Sequence, residues 1–227
     1  VRIRLPQGRT VTEGFGLCRG RKEIEFNEPN YVVKKTETLP NDTFFNGSQW
    51  CHRNTGQTGG TADADIDSSD AWELRTSAAN IIVAVIDTGV DLDHPDLVAN
   101  LWTNPGEIAG NGVDDDGNGQ VDDIHGFDFE NEDADPDDDE DHGTHCAGII
   151  GAVGNNSEGV AGVCWNVQIM ALKFLSDVGF TSDAIECINY GVNNGASVLS
   201  NSWGGGGFTN SLFNAIQNAH NNGVLFV

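Results

Sequence analysis

The run Ile81-Ile82-Val83-Ala84-Val85-Ile86 ends abruptly in Asp87-Thr88-Gly89, and no other stretch constrains the fold as much. Six consecutive apolar residues, mostly β-branched, read as a strand buried on both faces, as in a parallel sheet. In such sheets, sites form outside the carboxyl ends of the strands. Asp87 stands at that end. A carboxylate there is either a satisfied structural group or a working one.

Strand and helix patterns alternate after it. Small apolar residues from His142 to Val153 suit a closely packed helix. Val167 to Phe174 reads as a strand. Thr181-Ser182-Asp183 caps a helix with Ala184, Ile185, Ile188 and Val192 on one face, ended by Asn194-Gly195. A strand at Ser197–Asn201, a flexible loop at Gly204–Gly207, a helix through Leu212, Phe213, Ile216 and Ala219, and a strand from Val224 complete the series. This order predicts an α/β fold with a mainly parallel sheet, helices on both faces and right-handed crossovers. Upstream, Ser69 to Leu74 starts a short helix offering Trp72 and Leu74 for burial. Residues 36–70 are polar, with Phe44, Phe45 and Trp50 as expected anchors, and residues 102–141 form a long loop region.

Charge divides the chain. Residues 1–35 hold eight basic and four acidic side chains, a balance of +4, so residues 36–227 carry −28 of the net −24. Nucleic acid is excluded as a partner of that surface. No run is long and apolar enough to span a membrane, and an acidic, cation-loaded monomer is expected. Within residues 1–35, Lys22 to Phe26 alternates polar and apolar residues like an edge strand, broken at Pro29. The chain opens on Val1 with a single methionine, Met170, and is expected to be a fragment or a processed product. Its five cysteines, Cys18, Cys51, Cys146, Cys164 and Cys187, have no metal-ligand spacing, and Cys164 and Cys187 pair only if the fold joins them.

Asp141-His142-Gly143-Thr144-His145 is the second chemical cluster. Two histidines three apart could bind metal with Asp87. A histidine at a helix start can instead face a strand-end carboxylate, which fixes its tautomer and leaves the other nitrogen as a general base. Cys146, one turn on, is either a structural thiol or a nucleophile.

Val85-Ile86-Asp87-Thr88-Gly89-Val90, His94-Pro95-Asp96-Leu97 and His142-Gly143-Thr144-His145-Cys146-Ala147-Gly148 together resemble the aspartate and histidine motifs of the subtilisin-like serine proteases. Asn201-Ser202-Trp203-Gly204-Gly205 is similar to that family's substrate-binding segment, and the likeness runs from about Asp42 to Val227. The resemblance implies the subtilisin-like three-layer fold and an Asp, His, Ser chain order. It implies that Asp87 orients His142, and that His142 is general base and then general acid. Ser202, Trp203 and Gly204 would form one wall of a peptide cleft and Val178, Gly179 and Phe180 the other, with the substrate bound as an added strand. The family's nucleophile sits in a Gly-Thr-Ser-Met-Ala-like segment, and none occurs in these 227 residues. The expectation is a serine endopeptidase whose serine lies beyond Val227, inactive as this chain alone. Glu25 to Tyr31 is similar to the end of the family's inhibitory propeptide. The implied organisation is 1–35 propeptide end, 36–70 junction and mature N-terminal segment, and 71–227 the start of the catalytic domain, in a secreted protein whose partners are polypeptide substrates and its own propeptide. Two rivals remain: a non-catalytic calcium-binding relative, and a metal-dependent hydrolase using Asp87, His142 and His145.

Two loops suggest Ca2+. Asp114, Asp116, Asn118, Gln120 and Asp122 follow the spacing of a calcium-binding loop, with Gly119 at the sixth position, although His125 replaces the closing Glu and Asp123 is a possible substitute. A solvated acidic loop is the alternative. The second site is implied by resemblance alone: side chains of Asp96 and Asn156, with carbonyls of Gly154, Glu158 and Val160. The run Asp133 to Asp141 reads as a solvated insertion.

Overall fold

The apolar run forms β1, Ser77–Asp87, in a computed structural model that describes residues 4–25, 27–31 and 37–227. β1 is the middle strand of a five-stranded, all-parallel sheet. The others are β2 (Gly126–Asp128), β3 (Asn166–Lys173), β4 (Val198–Asn201) and β5 (Leu225–Phe226), ordered β2-β3-β1-β4-β5. Period-two alternation sorts the side chains into two cores. Val83 and Val85 join Ile169, Ala171 and Ala147 of α4 (His142–Gly151) on one face. Ala84 and Ile86 join Met170 and Leu172 on the other, beneath α5 (Thr181–Asn193) and α6 (Asn210–Asn221). Each fully buried aliphatic side chain contributes about 2 kcal/mol. The result is the expected three-layer α/β architecture.

Several local expectations change. The long loop region 102–141 contains β2, and its Trp102, Phe127 and Phe129 belong to the core; their apolar signal is masked by surrounding acids. Only Phe45 of the three expected aromatic anchors is buried, at the start of a helical turn, α2 (Phe45–Ser48). Phe44 and Trp50 face solvent. In α3 (Ser68–Trp72), Trp72 is buried with its Nε1–H donated to the Val163 carbonyl at 2.9 Å, whereas Leu74 follows the helix and is 90% exposed. The N-cap of α5 is Phe180, whose side chain makes no cap bond, so Thr181 is already helical.

The described cysteines are all free. Cys164 packs on the α4 face and Cys187 lies in the opposite core, so the sheet separates them. No helix among the described residues is long and apolar enough to cross a membrane.

Contacts divide the chain into Val1–Thr36 and Glu37–Val227. In the first unit, α1 (Val11–Cys18) opens with a capping box: Thr10 Oγ1 accepts the Glu13 N–H, and the Thr10 N–H donates to Glu13 Oε2 at 2.7 Å. The Thr-x-x-Glu signature was present in the sequence, obscured by Gly14 and Gly16. Residues 22–25 form turns rather than the expected edge strand, because the Ile24 N–H bonds locally to the Arg21 carbonyl. Phe26 and residues 32–36, which span the expected boundary between propeptide end and junction, lie outside the described residues.

Candidate active site

β1 delivers Asp87 to the carboxyl edge of the sheet, where it is 1% exposed. Its Oδ1 accepts the Thr88 N–H at 2.8 Å and the His142 Nδ1–H at 2.6 Å. An ionised carboxylate only accepts, so the proton sits on Nδ1 and Nε2 is free to act as a base. The His142 side chain is 55% exposed. The Asp87 hydrogen bond, then the Asp87 charge, raise its pKa above the ordinary histidine value against a small opposing effect of burial. Asp87 Oδ2 is buried without a partner among the described residues.

The pairing depends on close approach between the start of α4 and the turn after β1. The Gly143 N–H donates to Thr88 Oγ1 at 2.9 Å. A Cβ on Gly143 would lie 2.0 Å from the Gly89 carbonyl oxygen. Gly89 has φ +108°, and a Cβ there would meet the Pro136 carbonyl at 2.6 Å, so glycine is required on both sides. The run Asp133–Asp141 is therefore not a free solvated insertion. The Pro136 carbonyl accepts the Val90 N–H, Asp137 Oδ1 accepts the Leu92 N–H, and Asp139 meets the buried Lys173 ammonium at 3.0 Å.

A cavity of about 300 Å³ opens beside the pair, lined by Asp87, Thr88, Glu140 and His142 on one side and Leu175, Ser176, Asp177, Ser202 and Trp203 on the other. Trp203 rests edge-on against Phe174, ring centroids 5.0 Å apart. Of the expected cleft residues, Ser202 and Trp203 line this cavity and Gly204 does not. The opposite wall is Leu175–Asp177; Val178, Gly179 and Phe180 lie further along, with Val178 and Phe180 exposed and Gly179 bridged to Leu175. Sequence reasoning missed Glu140, Leu175, Ser176 and Asp177.

His145 is exposed and outside the cluster. The group of ligand-type atoms within 4.8 Å of one another is Asp87, His142 and Cys146. Asp87 and His142 already spend the facing atoms on each other. Burial pushes the Cys146 thiol up, against a lowering hydrogen bond with Ser202, so the thiolate needed for nucleophile or ligand is disfavoured. The arrangement does not support the metal-hydrolase set Asp87, His142 and His145, or Cys146 as nucleophile.

Two loops offer cation donors. Buried Asp96 accepts Asn156 Nδ2–H on Oδ1 at 2.7 Å and the Val160 N–H on Oδ2 at 2.9 Å. Gly154 lies against the Trp165 ring, and the Glu158 carbonyl accepts from the Thr43 N–H. Asp42, unforeseen in the sequence reading, joins them: its Oδ2 accepts the Asn155 N–H at 2.6 Å, and its Oδ1 is buried without a partner among the described residues. Burial, and further down the Asp96 charge, raise the Asp42 carboxyl above its usual range against the Asn155 hydrogen bond. An orphaned oxygen beside a second buried carboxylate fits a hard cation. In the other loop, oxygens of Glu107, Asp114 and Asp116 converge. Asp122 turns away to the Asn111 and Gly112 N–H groups, and Asn118 Nδ2 donates to Asp116 and Asp123. Gln120 is placed by its N–H bond to Asn118 Oδ1 and does not join the converging oxygens. Asp123 is buried and accepts from Tyr190, Asn104 and Asn118, so it is committed to protein donors rather than substituting as a ligand.

A buried carboxylate, hydrogen-bonded to the first histidine of a helix at the carboxyl edge of a parallel sheet, holds the imidazole in one tautomer with its other nitrogen free. The chain belongs to the subtilase family, whose model matches residues 78–227. It is 34% identical over 209 residues to Subtilisin-like protease 1 of Plasmodium berghei, covering 89% of this chain and 33% of that protein. It is 35% identical over 206 residues to the thermophilic serine proteinase of a Bacillus species, covering 90% and 43%. A solved structure described as proteases from Pseudoalteromonas arctica matches with a TM-score of 0.65 at 28% identity, over 84% of this chain and 58% of that one. The chain thus spans less than half the length of these two curated relatives.

Proposed function

We propose that these residues form the acid–base half of a serine endopeptidase that hydrolyses polypeptides through an acyl-enzyme. The observation that carries this is the 2.6 Å Asp87–His142 bond, with the imidazole opening onto the cavity beside Ser202 and Trp203. Asp87 holds the tautomer and stabilises the imidazolium, and His142 takes and returns the proton at Nε2. The attacking serine and oxyanion donor are assigned to sequence beyond Val227. Ser202 belongs to the binding wall, as its neighbours match the substrate-binding segment. The charge contrast between the two parts supports residues 1–35 as a propeptide end, and the family likeness supports a secreted precursor.

Ca2+ at Asp42, Asp96 and the 154–160 loop would supply charge that buried oxygens lack, and clamp the segment at Asp42 to the domain. A second ion at Glu107, Asp114 and Asp116 would relieve their mutual repulsion.

The test is hydrolysis of a chromogenic peptide by a polypeptide extended past Val227. Activity abolished by His142→Ala supports the reading, and activity indifferent to that substitution ends it. The 227 residues alone should show no turnover.

A further inference from the structure

We propose that Asp138 is a positioning residue for the Asp87–His142 pair, acting through hydrogen bonds to both the turn after β1 and the first turn of α4. This rests on the peptidase reading for its consequence, but the geometry stands apart from it.

The starting point is a helix without a cap of its own. Asp141 occupies the N-cap of α4 in the left-handed region, φ 66°, and its side chain makes no cap bond. The first-turn N–H groups still need acceptors. Gly143 finds Thr88 Oγ1, and Thr144 finds Asp138 Oδ2 at 2.8 Å. Both acceptors lie outside the helix, so capping and docking are one event.

Asp138 then ties the two acceptors together. The Thr88 hydroxyl donates to Asp138 Oδ1 at 2.8 Å, and the Thr144 hydroxyl donates to Oδ2 at 2.6 Å. The Glu140 N–H also reaches Oδ1, at 3.0 Å. Thr144 Oγ1 in turn accepts the Asp91 N–H at 2.9 Å, beyond the strand end. Because the Thr88 proton is committed to Asp138, the Thr88 lone pair faces the Gly143 N–H. Thr88 follows Asp87 and Gly143 follows His142, so this single bond ties the backbone next to His142 to the side chain next to Asp87. One carboxylate with four donors, two of them N–H and two hydroxyl, fixes the register of strand end against helix start.

Charge adds to geometry. The titratable groups facing His142 are Asp87 from β1, Asp138 and Glu140 from the segment before α4, the Cys146 thiol of α4 itself and, across the cavity, Asp177. Asp138 is held ionised: burial opposes its charge, but the Thr144, Glu140 and Thr88 hydrogen bonds together outweigh it and lower its pKa. It therefore contributes stability above its unfolded pKa, lost as pH falls through the lowered value.

The test uses proton NMR of the 227-residue chain, following the low-field His142 Nδ1–H resonance and the His142 titration. Asp138→Asn keeps the shape but offers an amide where four donors need acceptors. Thr88→Val removes the bridging hydroxyl at no change in charge; Thr88→Ser restores it. Asp135→Asn is the charge control, since Asp135 is exposed and nearby in sequence. The expected result is loss of the low-field resonance in Asp138→Asn and Thr88→Val, a His142 midpoint moved to lower pH, and recovery in Thr88→Ser. Circular dichroism separates this from unfolding; if Asp138→Asn does not fold, Thr88→Val against Thr88→Ser decides. An unchanged resonance in folded Thr88→Val, or an equal effect of Asp135→Asn, overturns the proposal. Absence of hydrolysis by the extended polypeptide, with this NMR pattern intact, would instead remove the peptidase reading and leave the positioning role standing.

Discussion

Lys173 and Asp87 stand opposite each other in the parallel register of β3 and β1, yet the ammonium turns away from Asp87. It donates to the Asp137 carbonyl at 3.1 Å and to Asp139 at 3.0 Å, with Asp128 of β2 at 3.9 Å. Asp128 is also in register with Lys173, so an Asp–Lys–Asp row crosses three strands on the α4 face. Burial works against the Lys173 charge, but the Asp139 hydrogen bond and the charges of Asp139, Asp128 and Glu130 outweigh it and raise its pKa. Lys173→Met removes the countercharge of buried Asp128, which keeps its hydrogen bonds from Glu130 and Asn131, and frees the acidic segment, so it should cost about 3 kcal/mol. Chemical denaturation measures the loss. Amide exchange at Val90 and Leu92, which bond to that segment, should speed up. Lys173→Met/Asp128→Asn should recover part of the stability, and an unaltered denaturation midpoint in Lys173→Met would remove the pinning role.

The raised pKa of His142 fixes the sign of two pH effects. Peptide hydrolysis needs neutral Nε2, so the rate in the extended polypeptide should rise with pH through a midpoint above the ordinary histidine value, about 6.5. The stability from this pair runs the other way. It is fully present below the unfolded pKa and is lost as pH rises through the raised folded one. Asp87→Asn should move the rate midpoint to lower pH and reduce kcat by about 10⁴ through the wrong tautomer. A rate midpoint unchanged in Asp87→Asn would contradict the pairing.

Asp42 links cation binding to stability. Its raised pKa means that the fold resists its charge, so the metal-free chain becomes less stable as pH rises through that value. Asp42→Asn should therefore raise the melting temperature in excess chelator. The same variant should lose much of the stabilisation that Ca2+ gives the parent chain. Parallel melting curves, with chelator and with Ca2+, measure both effects, and an equal Ca2+ response in the two proteins would place the ion elsewhere.

The sheet and its helices were legible because β1 and β3 are apolar runs, α4 is made of small apolar residues, and α5 and α6 carry apolar residues at helical spacing. Asp87 and His142 were legible because their motifs are local. Asp42 was not: it lies 54 residues before Asp96 and meets it only after the chain folds. β2 was hidden by its length of three residues inside an acidic run. Asp138 and the Leu175–Asp177 wall were hidden for a different reason. One acid among nine consecutive mostly acidic positions has no pattern of its own, and its role comes from the donors that converge on it.

Gly143→Ala tests the closeness of α4 to β1 most directly. The residue adjoins His142, and its N–H must reach Thr88 while its Cα faces the Gly89 carbonyl. An added methyl would lie 2.0 Å from that backbone oxygen and 3.1 Å from Asp87 Cβ. No flexible side chain can yield there, because the nearest contact is backbone. The helix start must shift, lengthening both the Gly143–Thr88 and the His142–Asp87 bonds. Overpacking of this kind costs about 1–3 kcal/mol, and hydrolysis should fall further than stability because the pair works only at hydrogen-bond range. By contrast, Gly148→Ala on the same helix meets nothing within 4 Å and should leave folding intact. Thermal melts of both variants, with kcat from the extended polypeptide, make the comparison. Equal and small effects at the two positions would show that α4 approaches β1 less closely than these contacts require.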